Sequence, residues 1–414
     1  MPGLLRRLRD RTGPGLLFAA SSVGVSHLVQ STRAGAEYGL TFIALIVVVC
    51  LVKYPVYLFG STYAAATGNS LVDSYRKQGR WAIVIFTVAL LIDMFVATAA
   101  VSLVTAGLIK NLMHIEAGAQ AVAIMLLLAC GTLLIVGRYR LFESLSKLFV
   151  VLFCVLTVAA ALVSTSLLDF SAHDYFPVFT ADRPSILFAI AVAGWMPTSV
   201  AASVFLSVWV KARAETSRGR LTPKEALFDF NLGYFSTMAL ALCFLLLGTA
   251  LLYGANIGIA QTTTGFAAQV IEMFTSVFGA WTFTGVAALA SIVMISTLLT
   301  LLDGPPRTLA AIIREHGSTQ KTIFALTVVQ IAGTTSLLLL FITSFTAFVD
   351  FATSTAFLTA PVLAYLNHKA VTSGDVAVEL RPGRAMRAWS VLGVVFYTVF
   401  FAAYLYYRIG AGAA

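Results

Sequence analysis

The chain has 414 residues, of which 59% are hydrophobic and only 11% charged, and its mean hydropathy is +0.91. That balance excludes a water-soluble globular domain and a disordered chain, and it points to the lipid bilayer as the protein's surroundings. The net charge of +9 does not imply a nucleic-acid partner, because the basic residues are distributed by membrane side.

A spanning helix needs roughly 20 predominantly apolar residues. Eleven windows meet this: 14–36, 39–66, 81–109, 117–137, 141–168, 185–210, 226–254, 278–303, 321–342, 344–367 and 387–408. With the N-terminus inside, Arg6 to Arg11, Arg76 to Arg80, Arg138 to Lys147, Lys211 to Lys224, Arg307 to Lys321 and Lys369 to Arg387 collect on the cytoplasmic side. The outside keeps Arg33, Lys110, Arg183 and Arg408. This is the positive-inside pattern of a plasma (inner) membrane protein with an external C-terminus. The Arg-rich start runs into the first window without a small-residue cleavage site, so no cleavable signal is expected. Cys50, Cys130, Cys154 and Cys243 lie inside windows without metal-type spacing, which predicts packed or lipid-facing thiols.

The first window contains SSVGVSH, Ser21 to His27. Ser21, Ser22, Gly24 and Ser26 are poor helix formers, and serine side chains compete for backbone groups. Lys53, Asp93 and Asp350 sit at membrane depth in later windows, where ionisable groups face the protein interior or a water path. A structural ion pair of Lys53 with Asp93 or Asp350 is expected. The sixth window is interrupted in AGWMPTS by Gly194 and Pro197. TPKE, Thr222 to Glu225, is a capping box with Pro at the first helical position, and opens the seventh span. The eighth window, SIVMISTLLTLLD, carries Ser296, Thr297 and Thr300 near one face and Asp303 at its end. DGPPR, at 303–307, is expected to end that span, since prolines break the hydrogen-bond ladder.

The first and sixth windows occupy corresponding places in two five-span halves, about 14–168 and 185–367, with an extra helix at 387–408. Interrupted segments at corresponding places point to an inverted-repeat transporter with its site near the midplane. Unwound backbone is tolerated there only where it lines a cavity. Kinked helices packed on small residues are the competing reading.

GPGLL from Gly13, AGAEYG at Ala34 to Gly39, ATGNSL at Ala66 to Leu71, GRYRLFE at Gly137 to Glu143 and WMP at Trp195 to Pro197 resemble the Nramp family of secondary transporters over most of the chain. The resemblance implies an all-α LeuT-type inverted repeat of five plus five spans with an eleventh helix, spans one and six being unwound at the midplane. The chain departs from the family where its chemistry lies. The family's Asp-Pro-Gly-Asn falls on Gly24, Val25, Ser26 and His27, and its Met-Pro-His on Met196, Pro197 and Thr198. Its acidic pair on the third span falls on Ala97 and Ala100, its later histidine on Ser203 and its tenth-span glutamine near Ser354. A dehydrated divalent ion needs stronger ligands than these.

What remains is a pocket of Ser21, Ser22, Gly24, Val25, Ser26, His27, Trp195, Met196, Pro197, Thr198 and Ser199, with Gln30 nearby. Hydroxyls and helix N-termini favour a small oxyanion; bicarbonate is preferred, and nitrate, nitrite or formate meet the same description. Arg33 is expected at the outer surface, attracting anions or snorkelling. By the resemblance, Ser296, Thr297, Thr300 and Asp303 suggest a sodium site, with ordinary hydroxyl packing as the alternative. No catalytic residues and no cofactor beyond a coupling sodium ion are expected. The expected product is therefore a monomeric secondary transporter of a small anion, not an enzyme; the alternative is an Nramp-type metal transporter whose Met196 and His27 hold a soft metal.

Overall fold

The computed structural model describes residues 13–22, 24–136, 139–215, 221–313, 320–340 and 344–408. The Gly137–Arg138 opening of GRYRLFE and the side chain of Ser21 lie outside the described residues. The architecture is helical almost throughout. Among the described residues, eight runs are long and apolar enough to cross a membrane, and the shorter apolar helices Ala119–Ile135 and Arg183–Trp195 fall in the fourth and sixth windows. The protein is thus an integral membrane protein. Gly39, with φ at 56°, turns the chain between the first span and the second, Phe42–Thr67. A side chain there would strike the Tyr175 carbonyl, 2.6 Å from the Cβ position. The sequence windows missed one apolar-faced helix, Thr263–Phe278, which packs on the third span from the loop before the eighth.

The first span is two pieces, Pro14–Ser22 and a π-helical turn Ser26–Ser31 continuing into Thr32–Tyr38. Its start explains GPGLL. The amides of Gly13 and Gly15 donate to the two carboxylate oxygens of Asp229 at 3.0 and 2.7 Å, so the seventh span, Pro223–Gly248, caps the half-helix from outside. Backbones touch here: a Cβ on Gly15 would lie 2.0 Å from the Asp229 carbonyl oxygen, and one on Gly233 would lie 2.2 Å from that of Gly15.

ATGNSL is a helix stop followed by a start. Gly68 closes the second span in the left-handed region, and Ser70 opens Leu71–Gln78 through a capping box with Asp73. Asp73 also accepts from Lys211 at 2.9 Å. Burial opposes its ionisation, but the bonds from Lys211 and Ser70 outweigh this and hold the carboxyl below the usual carboxylate range. TPKE forms the expected capping box at Thr222 and Glu225.

DGPPR does not end the eighth span. The helix runs Phe283–Ile313 through Pro305 and Pro306. Proline 305 removes the amide that would serve the Leu301 carbonyl, and the Gln330 side chain of the ninth span, Gln320–Leu340, donates to that carbonyl at 2.9 Å. Arg307 braces the same turn with two bonds to Asp303, at 3.1 and 2.6 Å.

Candidate functional site

Two helix interruptions face each other inside the bundle. In the first span the α-helix stops at Ser22 and resumes past Gly24. In the sixth, Arg183–Trp195 stops, Met196 to Val200 are non-helical with a cis Met196–Pro197 bond, and Ala201–Ala214 begins. Ser26 stands between the breaks, its hydroxyl oxygen lying 3.3 Å from that of the Pro197 carbonyl. The third span bends beside them through a π-helical turn, Asp93–Ala97, a distortion that often marks functional sites.

Between these three elements lies a cavity of about 40 Å³, walled by Ser22, Gly24, Val25, Ser26, Trp195, Thr198 and Ser199, with Asp93 and Ala97 from the third span and Pro305 from the eighth. Its polar groups are few and unevenly partnered. The Trp195 indole N–H is buried without a hydrogen-bond partner among the described residues. Ser22 Oγ is spent on the Phe18 carbonyl at 2.7 Å. Ser199 Oγ donates to Asp93 Oδ2 at 2.5 Å. Of the amides opening the helix after Val200, those of Ala202 and Ser203 donate to the Ser199 and Val200 carbonyls at 3.1 and 3.0 Å, and this end carries the helix's positive dipole.

Asp93 corrects the expectation of a carboxylate-free pocket. It lies one turn before Ala97, where the resemblance placed a lost acid, and that spacing brings it to the same cavity. Its appearance in the sequence as a lone acid at membrane depth was the available signal. Lys53, its expected partner, makes no ion pair among the described residues. It donates to the carbonyls of Ala193, Gly194 and Met196 and lies 5.0 Å from the ring centre of Tyr397. A cation at the negative end of an interrupted helix is its favoured place.

Other predicted residues lie elsewhere. His27 turns from the cavity: its Nε2 donates to the Thr237 carbonyl at 2.9 Å, which leaves Nδ1 to accept from Ser26 at 2.9 Å. A carbonyl can only accept, so the neutral tautomer is fixed. Met196 is fully buried outside the cavity. Arg33 is not at the surface but 7% exposed, bonded to Asp350 at 2.7 Å and Glu37 at 3.4 Å, with Phe188 under its guanidinium. Gln30 joins that group, donating to Asp350 and Thr353.

The eighth-span set is dispersed. Ser296 and Thr300 wall a different, aliphatic cavity of about 640 Å³ with Leu17, Val155 and Leu240. Thr297 sits against Gly24, and Asp303 is engaged by Arg307. Among the described residues no group of three or more His, Cys, Asp or Glu side chains is placed to hold a metal ion. The four cysteines are free thiols.

No known protein-family profile matches the chain. Over 397 residues, 94% of this chain and 90% of its counterpart, the sequence is 30% identical to "Uncharacterized protein PM0681" of Pasteurella multocida. Among solved structures, it superposes on the manganese transporter of Eremococcus coleocola with a TM-score of 0.65 at 12% identity, over 97% of this chain and 87% of that one. It superposes on MhsT in complex with L-phenylalanine with a TM-score of 0.63 at 16% identity, over 95% and 98%. These structural likenesses establish the fold, the LeuT type.

Proposed function

We propose that this chain, which belongs to the same family as PM0681 of Pasteurella multocida, is a secondary transporter of a small hydroxylated oxyanion, with bicarbonate the favoured substrate. The observation that carries this reading is that one small cavity is lined both by Trp195, whose indole N–H has no partner among the described residues, and by the carboxylate-bearing Asp93. Bicarbonate has groups for both. Its hydroxyl donates to Asp93, and its other oxygens accept from Trp195 and Thr198, beside the positive dipole end of the sixth span's second half. Nitrate offers no hydroxyl, and at Asp93 it meets only repulsion.

Size sharpens the choice. A cavity of about 40 Å³ accommodates a few water-sized groups, which disfavours an amino acid such as the one bound by MhsT. A soft metal ion at His27 and Met196 is the competing reading, but both ring nitrogens of His27 are engaged and Met196 lies outside the cavity. Bicarbonate beside an ionised Asp93 sums to two negative charges in a low-dielectric pocket, so a cation accompanies it; sodium is the proposed coupling ion. The protein works as a monomer in the inner membrane, N-terminus inside, exposing the cavity to each side in turn.

The test is uptake of isotopically labelled bicarbonate into proteoliposomes, with and without an inward sodium gradient, beside manganese uptake and nitrate competition. Sodium-stimulated bicarbonate uptake, insensitive to nitrate, is expected, and Thr198→Asp should abolish it in a folded protein. Manganese uptake without bicarbonate uptake would return the protein to the metal-transport class.

A further inference from the structure

Asp93 borders two cavities. Behind the substrate cavity lies a second of about 10 Å³, bounded by Asp93 and Ser199, which both cavities share, and by Thr355 and Thr359 of the tenth span. That is room for one water-sized sphere. The tenth span is itself interrupted at this point: Phe345–Thr355 ends, a tight turn Ala356–Leu358 follows, and Ala360–Thr372 begins. The last carbonyls of a helix have no internal donor and form its negative end.

We propose that this small cavity is a sodium site, formed by the Asp93 carboxylate, the hydroxyls of Ser199, Thr355 and Thr359, and the carbonyl end of the helix Phe345–Thr355. The charge at Asp93 makes the case. Among the described residues its one hydrogen bond is from Ser199, and it has no ion pair, although an isolated buried charge costs several kcal/mol. A proton would neutralise it but needs a single acceptor. Here three hydroxyl-bearing residues, Ser199, Thr355 and Thr359, line a hole one ion wide at the end of a helix; the Thr355 hydroxyl donates to the Ala352 carbonyl at 2.7 Å, which leaves its lone pairs for a cation, and an all-oxygen set with a single carboxylate suits a hard monovalent cation. Ser296 and Thr300 of the eighth span, by contrast, line an aliphatic cavity and bring no uncompensated charge.

The site deepens the transporter reading and rests on it for its role, though not for its existence. Because Asp93 and Ser199 belong to both cavities, a sodium ion bound behind them neutralises the carboxylate that the anion meets from the front. Loading sodium therefore precedes or accompanies loading of the anion.

Binding of radiolabelled sodium to purified protein in detergent, without bicarbonate, tests the site independently of transport. Saturable binding resistant to potassium and choline is expected. Asp93→Asn should abolish it, Thr355→Val should weaken affinity by about 10-fold or more, equivalent to about 1.4 kcal/mol, and Thr355→Ser should restore it. Size-exclusion profiles and melting temperatures report whether each variant is folded. Absence of saturable sodium binding in the wild type, or binding unchanged in folded Thr355→Val, would overturn the site. Sodium-independent bicarbonate uptake alongside that result would leave the substrate reading standing.

Discussion

Arg33 and Asp93 are both charged groups enclosed by the helix bundle, but they are enclosed in opposite ways. Arg33 meets two carboxylates, the oxygen of Gln30 and the face of Phe188, and Asp350 is bonded in turn by Gln30. Asp93 meets one serine and two cavities. The first cluster joins spans one and ten through groups that complete one another, whereas the second leaves charge and donors for something the protein does not itself supply. Buried polar groups are ordinarily paired, so the contrast separates a structural fastening from a site.

The comparison can be broken most severely on the fastened side. Gly194 lets the sixth span touch the tenth, where a Cβ would lie 2.1 Å from the carbonyl oxygen of Thr353, the residue that receives Gln30. Gly194→Ala should cost about 3 kcal/mol, the upper part of the range for overpacking, and appear as a lowered melting temperature in detergent. Asp350→Ala should cost less, about 1–3 kcal/mol, because Glu37 still faces Arg33 and the Asp350 side chain is 36% exposed, so part of its pairing is already screened. The same thermal measurement ranks the two; an Asp350→Ala protein as stable as wild type would show that the Arg33 cluster fastens nothing. On the open side the order of effects reverses. Trp195→Phe keeps an aromatic ring but removes both an N–H that has no partner among the described residues and part of a buried ring, so the melting temperature should fall only modestly, by the cost of the small cavity left. The KM for bicarbonate should rise about 10-fold, the loss of one hydrogen bond to a charged group. A Trp195→Phe protein with unchanged KM would place the indole in the packing and not in the site.

Much of this contrast was visible in the amino-acid sequence, though not its pairing. The broken segments at Ser22–Ser26 and Trp195–Ser199 stood out because small, hydroxylated and imino residues have no business inside apolar windows, and the structure brings them to one cavity. The membrane-spanning architecture followed from hydropathy alone. Partners were another matter. Lys53 looked like half of an ion pair because carbonyls at a helix end leave no trace in composition. His27 looked like a ligand because nothing in its neighbours reveals Thr237, 210 positions away. Asp93 reads in the sequence as a candidate partner of Lys53, since only the folded third span shows that a residue one turn from Ala97 reaches the same space. The proline pair misled for a related reason: the ladder rule is local, and its repair came from Gln330 on another helix.

That repair has a mechanical side. Pro305 stands in the wall of the cavity between the two breaks, at the place where the eighth span lacks its own internal strut. The Gln330 amide reaches across to Leu301 on that span and to Met94 and Thr98 on the third, at 2.9, 3.0 and 2.8 Å. One side chain thus works as a splint across a joint and as a tie rod to the helix that carries Asp93. Flexing the eighth span at its prolines would strain both attachments together, so the wall of the cavity and its only carboxylate among the described residues move as linked parts.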